Sequence, residues 1–546
     1  MRLPLSRLML AVLAIVALII GLDNMERPLA NPDEGRYSEI SREMAASGDW
    51  LTPRLNGIKY FEKPPLQYWA GALSFRLFGV NEYAARLYVM LAGLASFVLV
   101  GWLGHRIGGP DLALASMFAL ACSPYFMALG GIVTLDMGLT LWTTATLFAF
   151  IAAEQARDRP KAQRAWMLGA WAAMALAVLS KGLIGIVFAG AAVFFVMVMR
   201  RDFSVLERLH LIPGLAVFFA IAAPWFIAVS MANEEFGQFF FFHEHFARFL
   251  TRSHRRVEPW WYFLPIVVGG FLPWMFALPA AVVSAWRHEA GRAFQPLRIV
   301  LAWCGFVVVF FSASGSKLPA YVLPVFPPLA LVLGRYLVQA PERRLALWSA
   351  LSIPVGVALL VAAWRVPGFA KDEWTRAMYL EGWPWAVAGA AIFLAGGIAA
   401  TLLLLRGRRW LALLAATLAS LLLIDCGEEF YEELTPRQSS IEVAAKMKPY
   451  IGPQTQVYSV GHYEQGLPFY LGRTLTLFDY EDEFETGQKA EARFAGRDLH
   501  EFPPVWSQQR DALAIMLPRA YERLKAQGLP MTVLHADPKR VLVRKP

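Results

Sequence analysis

The sequence predicts an all-α polytopic membrane protein of about thirteen transmembrane helices that ends in a small α/β domain. Three observations carry this reading. The 546 residues are 57% hydrophobic and only 17% charged, with a mean hydropathy of +0.44, where soluble domains run near 25% charge. Apolar stretches of bilayer-crossing length recur along the chain. Basic residues gather in every second connection, as the positive-inside rule requires of a consistent topology.

The expected spans are 5–22, 84–104, 111–132, 136–153, 165–180, 183–199, 211–231, 260–286, 296–314, 318–337, 345–364, 383–405 and 410–427. Very short turns separate those near 133–136, 181–182 and 315–317. Arg2 and Arg7 precede the first span as in a signal peptide. No small-residue cleavage site follows it, so a retained anchor with a cytoplasmic N-terminus is expected. The inner connections then carry Arg157, Arg159, Lys161 and Arg164; Arg200, Arg201 and Arg208; Arg287, Arg292 and Arg298; Arg343 and Arg344; and Arg406, Arg408 and Arg409. Tryptophans such as Trp260, Trp261, Trp286, Trp364, Trp383 and Trp410 mark span ends, where amphipathic rings prefer the membrane–water boundary. The three cysteines, Cys122, Cys304 and Cys426, form neither a disulfide framework nor a CxxC metal motif.

Thirteen crossings divide the chain into a membrane domain, 1–427, with an outer loop at 23–83, and a soluble domain, 428–546, on the same outer side. In the tail, helical patterns at 438–448 and 519–527 alternate with β-like runs at 455–460, 474–478 and 512–517 and two more near the end. It shows no phosphate loop, nucleophile elbow or metal spacing, which leaves a lid or accessory domain.

Chemistry concentrates in the outer loop. Asp33 and Glu34 come about ten residues after the first span, and Arg36, Tyr37, Arg54, Tyr60, Glu62 and Lys63 crowd the same segment. Asn31 or Asp33 would serve as an N-terminal cap for an amphipathic helix at 36–46 lying on the membrane. A cap accounts for one acid and not for two, so Asp33 and Glu34 are candidate catalytic carboxylates whose pKa partial desolvation can tune. Arg36, Tyr37, Arg54, Tyr60 and Lys63 are candidate substrate contacts, ahead of the Pro64–Pro65 pair that fixes the backbone.

Asp136 and Lys181 sit at span ends on that same side, and charge at membrane depth calls for a partner or a ligand. Lys317, with Tyr321 a turn later, is a similar candidate. A further outer loop breaks the charge rule with Arg248, Arg252, His254, Arg255 and Arg256, which points to an anionic ligand such as a phosphate or lipid head group. His243, in an HxH pair, and Glu62 belong to neighbouring outer loops and would hold a divalent metal ion together with a substrate oxygen.

The segments DEGRYSEISREM, GDWLTPRLNGIKYFEKPPLQYW, LFGVNEYAARL and SGSKLPAYVLPVFPPLAL resemble the lipid A aminoarabinose transferases. These are membrane glycosyltransferases of the class C fold that use polyprenyl-phosphate sugars and have protein O-mannosyltransferases as relatives. The resemblance covers the membrane part nearly end to end and is strongest over 31–92. It implies a bacterial inner-membrane enzyme, active on the periplasmic side, that moves 4-amino-4-deoxy-L-arabinose from undecaprenyl phosphate to a lipid A phosphate and so confers polymyxin resistance. It also maps an essential first-loop acid onto Asp33. The implied partners are the donor lipid, lipid A and the membrane, with no nucleic acid, and the chain is expected to act as a monomer. Two alternatives stand beside this reading. One is a related transferase acting on protein or another envelope glycan. The other is a lipid flippase, which would show inverted repeats that this sequence lacks.

Overall fold

The structure is a computed structural model that describes residues 14–16, 27–240, 258–287, 294–494 and 496–546. Among these residues nine helices are long and apolar enough to cross a membrane. The helices Phe263–Gly269 and Trp274–Trp286 together are also long and apolar enough, with a bend of 118° between them, and Ile184–Arg200 is a shorter apolar helix. The 40-residue helix Glu82–Ala121 holds one expected span and the start of the next. It breaks at Gly108 and at Gly109, whose φ of +81° suits glycine, with Pro110 opening the second limb. Twelve of the thirteen expected spans are thereby accounted for. The first, which is expected as a retained anchor, lies largely outside the described residues. At the end of the helix Leu135–Gln155 away from Asp136, Glu154 is sealed from solvent and gathers Arg157, Arg200 and Arg208, while Asp202 takes Arg157 at 2.7 Å.

The outer loop is folded. Helix α1, Asp33–Ser47, leads to a hairpin of β1, Arg54–Leu55, and β2, Ile58–Lys59, and then to α2, Leu66–Phe78. Asn56 and Gly57, with φ of 56° and 77°, make the two-residue turn that an Asn-Gly pair favours. Two expectations are corrected here. Pro32, not Asn31 or Asp33, occupies the cap position and no side chain caps the helix. Nor does α1 lie on a membrane surface: Tyr37, Ile40 and Met44 are buried against α2 and the tail.

The tail forms a five-stranded mixed sheet in the order β4-β3-β5-β7-β6, with β3 Gln456–Val460, β4 Thr476–Phe478, β5 Ala512–Met516, β6 Thr532–Ala536 and β7 Val541–Arg544. The strands fall almost where the alternating runs lie. Successive residues point to opposite faces, and each face has its own core. Tyr458, Ala514, Met516 and Val543 pack with Phe502 and Trp506 beneath the short helices on one side. Val457, Leu513, Ile515 and Leu542 pack on the other with Leu29, Tyr37, Ile40, Tyr60 and Tyr68 of the outer loop. The tail is therefore not docked as a finished unit: the loop supplies half of its apolar covering. Trp506 is fully buried and donates its ring N–H to Pro530 O at 2.9 Å. Trp506→Ala should cost about 3–5 kcal/mol, read as a lower thermal midpoint and faster proteolysis of the tail. An unchanged midpoint would contradict this packing.

Candidate active site

The N-terminal turn of α1 carries the expected pair of acids, and the two do different things. Glu34 is 1% exposed. Its carboxylate accepts from Arg86 Nε at 2.8 Å and Nη2 at 3.0 Å, from the Ala30 N–H at 3.0 Å and from the Val133 N–H at 3.1 Å. Arg27 stands 3.7 Å away. Arg86 also donates to Arg27 O and Pro28 O, and Arg27 to Gly131 O. Burial works to raise the Glu34 pKa, yet Arg86 and then Arg27 outweigh it and hold the group at about 2. Every lone pair faces protein, so Glu34 is an anchor between loop and membrane helices, and the expectation that it shares the chemistry is corrected.

Asp33 faces the other way. Its side chain is 44% exposed, with Arg36 Nη1 at 3.8 Å. Arg36 is mostly covered and reaches Glu483 of the tail at 3.9 Å, with Tyr37, Tyr60 and Glu62 within electrostatic range. Burial, reinforced by Asp33 beside Tyr37 and by Glu62 beside Tyr60, pushes both phenols well above their ordinary pKa. Both therefore stay neutral hydroxyls. The Tyr60 hydroxyl is buried with no hydrogen-bond partner among the described residues.

A second group stands at the helix ends that Glu34 grips. Three residues beyond Val133, Asp136 lies in the first turn of the helix Leu135–Gln155, capped by Thr134. It pairs with Lys181, the last residue of the helix Pro160–Lys181. Lys181 Nζ also lies 4.8 Å over the Tyr321 ring, which packs on Phe311. The hairpin leans on the same bundle: Phe61 meets Phe236 edge-on, Lys59 pairs with Glu235 at 2.7 Å, and Trp225 donates to Leu51 O.

Three further candidate cations make contacts within the chain. Arg54 binds Glu491 at 2.8 Å and the Gly57 carbonyl, so it ties loop to tail. Lys317 is buried and donates to Ser314 O at 2.8 Å within its own turn. Lys63 turns its ammonium onto the Glu62 carbonyl at 2.8 Å. His243, Arg248, Arg252, Arg255 and Arg256 lie outside the described residues. Among the described residues, the group of acids and histidines placed to share an ion is Asp498, His500 and Glu501, an exposed capping turn that does not involve Glu62. Arg86 and Glu483 were missed. Arg86 had a signal, a charge opening a 40-residue apolar helix; Glu483 had none.

Comparison with known proteins fits this geometry. Residues 443–545 match the aminoarabinose transferase C-terminal domain, and residues 5–237 match the dolichyl-phosphate-mannose-protein mannosyltransferase family. An undecaprenyl phosphate-alpha-4-amino-4-deoxy-L-arabinose arabinosyl transferase from Sodalis glossinidius is 34% identical over 76% of this chain and 74% of its own length. The chain belongs to the aminoarabinose transferase family. A homologue of the same description from Edwardsiella ictaluri is 34% identical, with 66% of each chain aligned. The crystal structure of ArnT from Cupriavidus metallidurans bound to undecaprenyl phosphate superposes with a TM-score of 0.92 at 33% identity, covering 98% of this chain and 97% of that one. This family member is thus a multi-pass membrane glycosyltransferase with the class C fold.

Glu34 lends stability that is complete above its unfolded pKa near 4.5 and lost as pH falls toward its folded value of about 2. The thermal midpoint of the detergent-solubilised protein should fall across that window. Glu34→Gln should cost about 3 kcal/mol at neutral pH, because it leaves Arg86 buried without its counter-charge, and should flatten the acid dependence. A variant as stable as the parent at pH 7 would contradict the anchor.

Proposed function

We propose that this chain transfers 4-amino-4-deoxy-L-arabinose from undecaprenyl phosphate to phosphate groups of lipid A. The transfer masks negative charge and confers resistance to polymyxin and related cationic peptides. The setting is the bacterial inner membrane, with the site facing the periplasm and the chain working as a monomer. Membership of the family and the names of its relatives support the substrates. The observation that carries the chemistry is the Asp33 carboxylate beside Arg36, on a turn whose next residue accepts from the Val133 N–H three residues before Asp136, the partner of Lys181.

In this reaction a lipid A phosphate oxygen attacks the anomeric carbon from the face opposite the donor. The bond from that carbon to the undecaprenyl phosphate oxygen breaks, and the electron pair leaves with the lipid phosphate. The nucleophile is already an anion, so no proton has to be removed, and Asp33 orients rather than deprotonates. Its charge also suits a cation, and the amino sugar carries one. Lys181 and Lys63 are the groups assigned to the departing phosphate, whose charge grows as the bond breaks. Tyr37 and Tyr60, kept neutral, are the residues we assign as hydroxyl donors to the sugar or its phosphate. Arg248, Arg252, Arg255 and Arg256 are assigned to the acceptor phosphate, because a planar guanidinium meets two oxygens at once.

The reading is tested with purified protein, donor lipid and lipid A. Asp33→Asn should abolish transfer while the thermal midpoint stays within the parent's range, since the change is isosteric and the side chain is 44% exposed. Near-parental turnover by this variant would sink the role of Asp33. Lys181→Ala should lower donor affinity about tenfold or more, from one lost charge-assisted contact. Unchanged binding of undecaprenyl phosphate would remove Lys181 from that role.

A further inference from the structure

We infer that Tyr125 is a further donor-binding residue, whose hydroxyl donates a hydrogen bond to the phosphate of the undecaprenyl carrier alongside Lys181. The inference rests on the assignment of the departing phosphate to Lys181, as proposed above.

Tyr125 stands on a stretch of backbone fixed at both ends. It lies in the first turn of the short helix Pro124–Gly130, which Ser123 caps. The Ser123 hydroxyl accepts from the Phe126 N–H at 3.2 Å and donates to Gly270 O at 2.6 Å. That bond ties the turn to the end of the helix Phe263–Gly269. At the far end of the segment, Arg27 donates to Gly131 O at 2.7 Å and Glu34 accepts from the Val133 N–H at 3.1 Å. Asp136, the partner of Lys181, follows three residues later.

The ring is fixed as well. Its centroid lies 5.0 Å from that of Phe326, and Phe326 stacks in turn on Phe271 at 5.0 Å. Phe326 directly follows the turn Pro319–Val325, which carries Tyr321, and Lys181 Nζ lies over the Tyr321 ring. Asp136 and Tyr262 are within electrostatic range of the Tyr125 hydroxyl. Separate elements thus bring Tyr125, Asp136, Lys181 and Tyr321 into one group.

Packing accounts for the ring and not for the hydroxyl. The Tyr125 oxygen is buried and has no hydrogen-bond partner among the described residues. A phenylalanine would fill the same space without leaving a polar group unpaired, and buried polar groups in folded chains are as a rule paired. The neighbours indicate what completes the pairing. Asp136 is engaged by Lys181, and a neutral hydroxyl donating in the company of an ammonium suits an anionic oxygen. A phosphate offers several such oxygens, more than one lysine can satisfy.

Tyr125→Phe removes the hydroxyl and keeps the ring that packs on Phe326. The test measures undecaprenyl phosphate binding to the detergent-solubilised full-length protein, the thermal midpoint without lipid, and the KM for lipid A. Lys181→Ala is measured alongside. Tyr125→Phe should weaken undecaprenyl phosphate binding about ten- to hundredfold, the loss of one charge-assisted hydrogen bond. Its lipid-free midpoint should hold or rise, because an unpaired buried hydroxyl has been removed. Weaker binding together with a lower lipid-free midpoint would make the hydroxyl structural and overturn the inference. So would parental binding by Tyr125→Phe beside weakened Lys181→Ala, which leaves the proposed function standing. A raised KM for lipid A with parental undecaprenyl phosphate binding would move the hydroxyl to the acceptor phosphate, and the donor assignment would fall. Parental binding in both variants would instead remove the reading of Lys181 on which the inference depends.

Discussion

A carboxylate and a guanidinium sealed away from water, Glu34 and Arg86, hold the outer loop to the membrane helices. Such a pair is expensive to bury and worth keeping only if its remaining lone pairs and protons are met. Here they are, by the N–H groups of Ala30 and Val133 and by the carbonyls of Arg27 and Pro28. Because the Glu34 carboxylate also takes Val133 N–H, the start of α1 and the turn leading to Asp136 are fixed to one another. The neighbouring Asp33 is left facing outward. Adjacent acids thereby sit in different surroundings: Glu34 is enclosed by protein, while the Asp33 side chain is 44% exposed.

The same constraint explains why the tail is built on the loop. Residues 33–78 present apolar side chains that pack with Ala84, Ala85, Val133 and Leu135 of the membrane part, and the sheet's Val457, Leu513, Ile515 and Leu542 join the same cluster. Burying that surface gives a non-directional adhesion. The directional contacts, Asn31 with Glu464 and Arg36 with Glu483, then specify register. The site is therefore assembled from three parts of the chain distant in sequence, each contributing little alone.

Much of this was legible in the sequence because it is periodic. Span length and the alternation within the tail strands are local properties, and both reappear in the structure with small shifts of boundary. The importance of the 31–63 segment was legible too, since charge and aromatic density at a membrane surface is costly without a purpose. What sequence could not sort was which charge had a partner. Glu34 and Asp33 are indistinguishable until Arg86 is brought from 52 residues away. Arg54 and Lys317 read as free cations until Glu491 and the Ser314 carbonyl are placed beside them. The tail's part was hidden for the same reason, because Asn31 and Glu464 are 433 positions apart and neither lies in a motif.

The central claim is that this chain decorates lipid A with an aminopentose. The most direct measurement is mass spectrometry of lipid A from cells that lack a transferase of their own, supply the donor lipid and express this chain. The account expects lipid A species heavier by one or two aminopentose units on phosphate, absent when the chain is omitted. Unmodified lipid A, together with the sugar found on protein or another envelope glycan, would contradict it.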